Sequence, residues 1–273
     1  MENSSCDIEK VYREFATIDG YFYVANDDQF RVDTEHTSIL QYCNYKNTSG
    51  TYNCNDYFQL AICSVIHLLK KYKYKLEDDK LAEYVILWLS YKLNRHSKCS
   101  TTNLNDFYTN HIEKNEYYNK NIKDNDSITY KAIIDKIKDL MNTKEISKFN
   151  SPFSILFYLY NAFHDKSVNC QQNLNLANKF VQNVEDLNKD SIDKENSSYN
   201  KLLSALSNDY NNLKNIYDNN YKNKCPNPPS FPELTPQKNS VGNSEQPTVL
   251  SPEATPSSSS ILNTVIPVLS TFS

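Results

Sequence analysis

Apolar residues recur three and four positions apart through most of the chain, and that spacing commits it to amphipathic helices around a shared core. Phe58, Ile62, Val65 and Leu69 form one such stripe, widened by Leu60, Ala61 and Ile66. Asp56 followed by Gln59 reads as a capping box at its start. The stretch from Lys80 to Asn94 is apolar nearly all round at Tyr84, Val85, Ile86, Leu87, Trp88 and Leu89. A run of that length also fits a buried strand, but its helix-forming neighbours and the lack of Gly or Pro favour a central helix. Tyr130, Ile133, Ile134, Ile137 and Leu140 mark a helix running to Met141. Ser151 before Pro152 reads as an N-cap and first helical position, opening a helix that presents Phe153, Leu156, Phe157, Tyr160 and Phe163. Leu174, Ala177, Val181 and Val184 mark another, and Leu203, Leu206, Tyr210, Leu213 and Tyr217 the last. That final stripe is expected to face the common core, with a partner helix as the alternative.

The pattern ends at Cys225, beyond which nine of the ten prolines lie. Residues 1–224 therefore read as one multi-helix, all-α domain, and 225–260, rich in Pro and Ser, as an extended, disordered linker or stalk. Residues 261–273, ILNTVIPVLSTFS, are apolar but shorter than the roughly 20 needed to span a bilayer, and resemble the start of a transmembrane segment cut short. The first 15 residues carry six charges and no apolar core, so no cleavable signal peptide is expected.

Composition narrows the chemistry. Three glycines, Gly20, Gly50 and Gly242, are too few and too scattered for the loops that cradle phosphate with bare backbone. A net charge of −4 offers no global cationic field for nucleic acid. Carboxylates such as Glu77-Asp78-Asp79 fall in polar turns, and no local nucleophile–base signature stands out, so neither enzymatic activity nor a small-molecule substrate is expected. No cofactor is implied, and the five histidines are too dispersed for a zinc site. The one basic cluster, Lys70, Lys71, Tyr72, Lys73, Tyr74 and Lys75, interleaves cations with rings. It could hold an anionic glycan or phosphate, or simply end a helix where the dipole favours cations. With 36 Asn and 26 Lys against three Arg, the chain is biased toward residues with A- and T-rich codons, which weakens any argument from a single Lys or Asn run.

Seven cysteines without a Cys-x-x-Cys suit structural disulfides in an oxidising compartment. Candidates for pairing are Cys6, Cys43, Cys54, Cys99, Cys170 and Cys225; Cys63, inside an apolar helix, reads as a small core residue. An odd count leaves at least one thiol free or paired outside the chain.

Several strings resemble the Plasmodium interspersed repeat (PIR) multigene family, particularly its rodent-malaria Cir/Yir/Bir branch. These are EYVILWLSYKL (83–93), LNDFYTNHIEKNEYYNK (104–120), YKAIIDKIKDLM (130–141), ISKF (146–149), ANKFVQNV (177–184), SSYNKLLSALSNDYNNLKN (197–215) and SSSSILNTVIPVL (257–269). The resemblance implies a helical variant ectodomain on a stalk, anchored by one membrane helix and followed by a short basic tail. It further implies export toward the membrane or surface of the infected erythrocyte, antigenic variation and immune evasion, with adhesion as an added role. The implied partners are a host surface receptor or antibody, and the membrane itself. The chain departs from the family pattern at Phe157, where Cys is common, at Cys63 and Cys99, and in lacking the basic tail. A non-displayed helical interaction scaffold in parasite membranes or export compartments, using the Leu203–Tyr217 stripe or Lys70–Lys75, is the alternative function, with the parasite or vacuole membrane as the lesser location.

Overall fold

In a computed structural model, the described residues are 4–24, 30–32, 39–42, 54–96, 102–115, 117–122, 127–141, 144–164, 169–191, 197–225 and 230–235. The chain divides into two units, 1–238 and 239–273. The first is predominantly helical, as the periodicity predicts. Its elements are α1 (Ser4–Asp19), a hairpin of β1 (Phe22–Val24) and β2 (Phe30–Val32), α2 (Cys54–Tyr72), α3 (Asp78–Arg95), α4 (Leu104–Phe107), α5 (Tyr130–Ile134), α6 (Lys138–Met141), α7 (Asn150–His164), α8 (Cys170–Asp190) and α9 (Ser198–Ile216).

α3 is the centre. Every residue from Leu81 to Leu93 is buried, which accounts for a sequence that is apolar nearly all round. It touches α2, α4, α5, α7 and α9, so no face is left for solvent over its middle turns. α1 packs on α7, and α8 lies against both α7 and α9. Ile8, Val11, Tyr12, Phe15 and Ile18 of α1 are buried at helical spacing, so α1 is a core helix. Side-chain caps begin several elements. Asn103 accepts from the Asp106 amide, Thr129 from Ala132, Asn169 from Gln172 and Ser197 from Asn200, each satisfying an amide that has no partner within its helix.

The core faces read from sequence are buried, with corrections at their edges. The Phe58–Leu69 stripe lies in α2, but that helix starts at Cys54, so Asp56 sits inside its first turn, near the positive end of the dipole, and is not a cap. α7 starts at Asn150, which puts Pro152 at the third position, where a missing amide still leaves no bond unmade. Ser151 does not cap it; its hydroxyl accepts from Asn183 of α8. The helix expected over 130–141 is tightened in the middle by a 3-10 turn, Asp135–Ile137. Ile134, Ile137 and Leu140 are three apart, and a three-residue turn keeps them in line where an α-helix would let them drift. On α8 the buried line is Asn173, Ala177, Phe180, Val184 and Leu187, leaving Leu174 and Val181 at its margin. Leu203, Leu206, Tyr210 and Leu213 are fully buried and Tyr217 nearly so, which removes the partner-helix alternative for that stripe. The antiparallel hairpin, pairing Phe22 with Val32 and Val24 with Phe30, is the departure from an all-helical reading.

The proline-rich segment does not begin as a free chain. Phe231 is buried and Leu234 packs against the core, so 230–235 belong to the helical unit although they follow Cys225. Residues 236–273, which hold most of the expected stalk and all of the apolar end, lie outside the described residues. Among the described residues no helix is long and apolar enough to cross a membrane.

Aromatic side chains supply much of the central packing. Tyr12 stacks on Tyr160 at 4.4 Å between ring centroids, and Phe153 contacts Phe15 and Tyr91 edge to face. Replacing Phe153 with Ala is expected to cost about 3–5 kcal/mol by opening a cavity between α1, α3 and α7. Chemical denaturation of the variant beside the parent measures it.

Candidate functional site

The Lys70–Lys75 cluster ends α2 and enters the turn to α3, where the dipole favours cations. Its groups are already engaged. Lys71 donates to Glu14 of α1, Lys73 donates to Asp78 at 2.5 Å, and the buried Tyr72 hydroxyl donates to the Lys10 carbonyl at 2.9 Å. Lys70 lies over the Tyr42 ring at 5.3 Å and Lys75 over Tyr72 at 5.5 Å. Tyr74 stays largely exposed. The cluster therefore ties α1 to α2 and the α2–α3 turn to itself, and presents Lys70, Lys75 and Tyr74 outward. Glu14 also accepts or shares a hydrogen bond with His67 at 2.6 Å. Burial would raise the Glu14 carboxyl, but the hydrogen bonds from His67 and Lys71 outweigh it and hold it below its ordinary range.

Of the candidate cysteines, Cys170 and Cys225 form a disulfide across a sequence separation of 55 residues. Closing a loop of that size removes about 4 kcal/mol of chain entropy from the unfolded state in the loop-entropy picture. The bond fastens the start of α8 to the residue that follows the helical turn Lys222–Lys224. Cys63 corrects the sequence reading: it is buried in α2 and disulfide-bonded, so it belongs among the paired cysteines. Its apolar setting conceals this, because half-cystines and buried thiols pack alike. The sulfurs of Cys6, Cys43, Cys54 and Cys99 lie outside the described residues.

The main polar cluster of the interior is one that sequence reasoning misses. Asp209 of α9 is fully buried. It accepts hydrogen bonds from the Tyr12 hydroxyl of α1 at 2.9 Å and from the Tyr84 hydroxyl of α3 at 2.8 Å. Tyr160 of α7 donates to the Asp209 backbone carbonyl at 2.8 Å. Lys80, at the rim, lies 3.7 Å from Asp209, 3.9 Å from Glu83 and over the Tyr84 ring. One residue thus connects four helices. Burial pushes the Asp209 carboxyl up, opposed by Lys80 and the two tyrosine hydroxyls. Burial, then the Asp209 charge, raises Tyr12 and Tyr84, so both remain protonated donors. The sequence does carry a signal: Leu202, Leu206, Asp209 and Leu213 step by four, three and four, which places an acid on an apolar face.

A second buried charge holds the hairpin. Lys92 of α3 is almost fully buried, bonds Asp19 at the end of α1 at 2.5 Å and lies 3.8 Å from the Phe22 ring centroid. Burial, against the pull of Asp19, lowers its ammonium to about 8.

Among the described residues, no three His, Cys, Asp or Glu side chains gather as a metal site. The arrangement is that of a disulfide-bonded helical domain whose buried ionisable groups bind one another. The chain belongs to the family of Plasmodium variant antigen proteins Cir/Yir/Bir, which it matches over residues 12–273. Among solved structures it is similar to a Plasmodium PIR protein ectodomain, at 30% identity and a TM-score of 0.58, covering 84% of this chain and 99% of that one. No curated protein matches it.

Glu83 provides a test of the buried electrostatics. Burial raises its carboxyl to about 7, with Lys80 and Lys201 opposing and Asp209 and Asp79 adding to the rise. A carboxyl whose folded pKa exceeds its unfolded value binds its proton more tightly when folded. Its contribution to stability is present below the unfolded pKa and is lost as pH rises through the folded one, here from about 4.5 to about 7. His111, lowered by burial and then by Lys114, acts in the opposite sense, so the comparison of variant with parent isolates Glu83. Glu83→Gln is expected to stabilise the protein by about 1–2 kcal/mol at pH 7.5 and by little at pH 5. Paired melting curves at the two pH values check it.

Proposed function

We propose that this chain is a variant surface antigen, exported to and displayed on the malaria-infected erythrocyte, acting in antigenic variation and immune evasion and in adhesion to a host receptor. The observation that carries the reading is the family match together with a body that separates a fixed interior from a polar exterior. The interior is fixed by ion pairs, tyrosine hydroxyls and at least one disulfide. The exterior includes the outward side of α8, where Gln171, Gln172, Asn175, Asn178, Lys179 and Gln182 are exposed. Substitutions at such positions change stability by about 0.5 kcal/mol or less, so the surface can vary while the fold persists. Such a mechanism needs no catalytic group and no cofactor.

Anchoring would come from the apolar residues after 260, with the Pro- and Ser-rich residues before them acting as the stalk. The retained-scaffold alternative has lost its helix stripe to the core and keeps the Lys70–Lys75 cluster, two of whose lysines are ion-paired.

Antibodies raised against the chain test display directly. Staining of intact infected erythrocytes that disappears after external trypsin is the expected result. Staining only after permeabilisation would overturn the surface reading for that stage.

A further inference from the structure

Residues 230–235 lie back along the helices that end at the Cys170–Cys225 disulfide. Contacts from five of these residues trace the course of the segment. Ser230 accepts from Lys222 at 2.6 Å. Phe231 stacks on Tyr217 at 4.1 Å and also meets Phe163 and Tyr210. The Pro232 carbonyl accepts from the Tyr210 hydroxyl at 2.9 Å, while Glu233 pairs with Lys214 at 2.9 Å. Thr235 donates to Glu185 of α8 at 3.2 Å. Over Ser230–Pro232 the contacted residues of α9 and its continuation run back from Lys222 through Tyr217 to Tyr210, and Glu233 then meets Lys214, one turn from Tyr210. On α8, Glu185 stands 15 residues beyond Cys170, about 22 Å along the helix at the usual rise.

We infer that Ser230–Thr235 is a strap that moves the exit point of the C-terminal chain from the disulfide end of the α8–α9 pair to the level of Glu185. The disulfide alone would leave a swivel at Cys225, because it restrains one residue and nothing after it. Phe231 removes that freedom. Its ring is buried among three aromatic side chains, and the flanking hydrogen bonds and ion pair fix the direction of the backbone. Pro232 suits the path, since an extended segment lying on helices needs no amide donor there and its fixed φ reduces the entropy lost on docking. The strap holds whether or not the chain is displayed. Its consequence for the tether rests on the proposed display: the stalk would leave the body near Glu185 and not at the Cys170–Cys225 corner.

Spin labels at Thr235 and Gln171, introduced as non-natural amino acids into the disulfide-intact chain, give up the Thr235–Glu185 hydrogen bond, leave the contacts of Ser230 to Glu233 in place, and measure the strap by pulsed dipolar spectroscopy. One narrow distance distribution is expected. Phe231→Ala, which shortens a side chain at the edge of the body, should broaden that distribution severalfold while the helical circular dichroism is kept. A milder variant, Tyr210→Phe, removes the hydrogen bond to Pro232 and should broaden it less. A broad distribution in the parent chain would overturn the inference without any variant, as would an unchanged one in a folded Phe231→Ala protein. Neither readout depends on where the protein resides, so failure of the strap and failure of the display reading are separate results.

Discussion

A carboxyl group with no access to water sits where four helices meet, and the rest of the domain is arranged to make that tolerable. Leaving such a group unpaired is strongly unfavourable, and Asp209 is accommodated by two tyrosine hydroxyls and the nearby Lys80. Each partner comes from another helix or from another turn of α3. Satisfying Asp209 therefore sets the rotation of α1, α3 and α9 about their axes, while Tyr160 adds α7 through the backbone. Apolar packing alone would fix these angles less sharply, since hydrophobic contact is non-directional. Lys92 with Asp19 repeats the device at the other end of α3, where it holds the turn into the hairpin. Such pairs add little net stability over well-packed apolar residues, and their role here is to select one arrangement.

Fixing the interior in this way has a consequence for the exterior. Once helix rotation is set by buried groups, exposed positions on α8 and in the polar turns are released from any part in specifying the fold. The strap and the Cys170–Cys225 bond extend the same logic to the chain's exit, because they attach the C-terminal segment to α8 and α9 and not to a loop. A variant antigen needs that division between constant and changeable residues, and here it follows from where the charges are buried.

Helix positions and faces are legible in the sequence because the apolar period survives even in a chain biased toward Asn, Lys and Tyr. α3 is recognisable for a simple reason: a helix surrounded by others must be apolar all round. Features that depend on distant residues are not legible. The hairpin has three-residue strands, too short for alternation to register. Tyr12 and Tyr84 look like ordinary core aromatics until Asp209 is placed between them. Phe231 is a single aromatic in a proline-rich stretch, and local composition outweighs it. Cys170 and Cys225 are readable as cysteines in polar surroundings, whereas Cys63 is hidden by its apolar neighbours. Of the named ligand cluster, the sequence shows the charges but not that Glu14 and Asp78 have already taken two of them.

The most direct test is a pair of double-mutant cycles on the buried centre, Asp209→Asn with Tyr12→Phe and Asp209→Asn with Tyr84→Phe, measured by equilibrium denaturation. If Asp209 is the point on which the helices are oriented, each single change destabilises the protein and each pair shows a coupling of about 1–3 kcal/mol. Additivity within about 0.5 kcal/mol in both cycles would contradict the account. The helices would then be oriented by apolar packing, with the carboxylate a passenger.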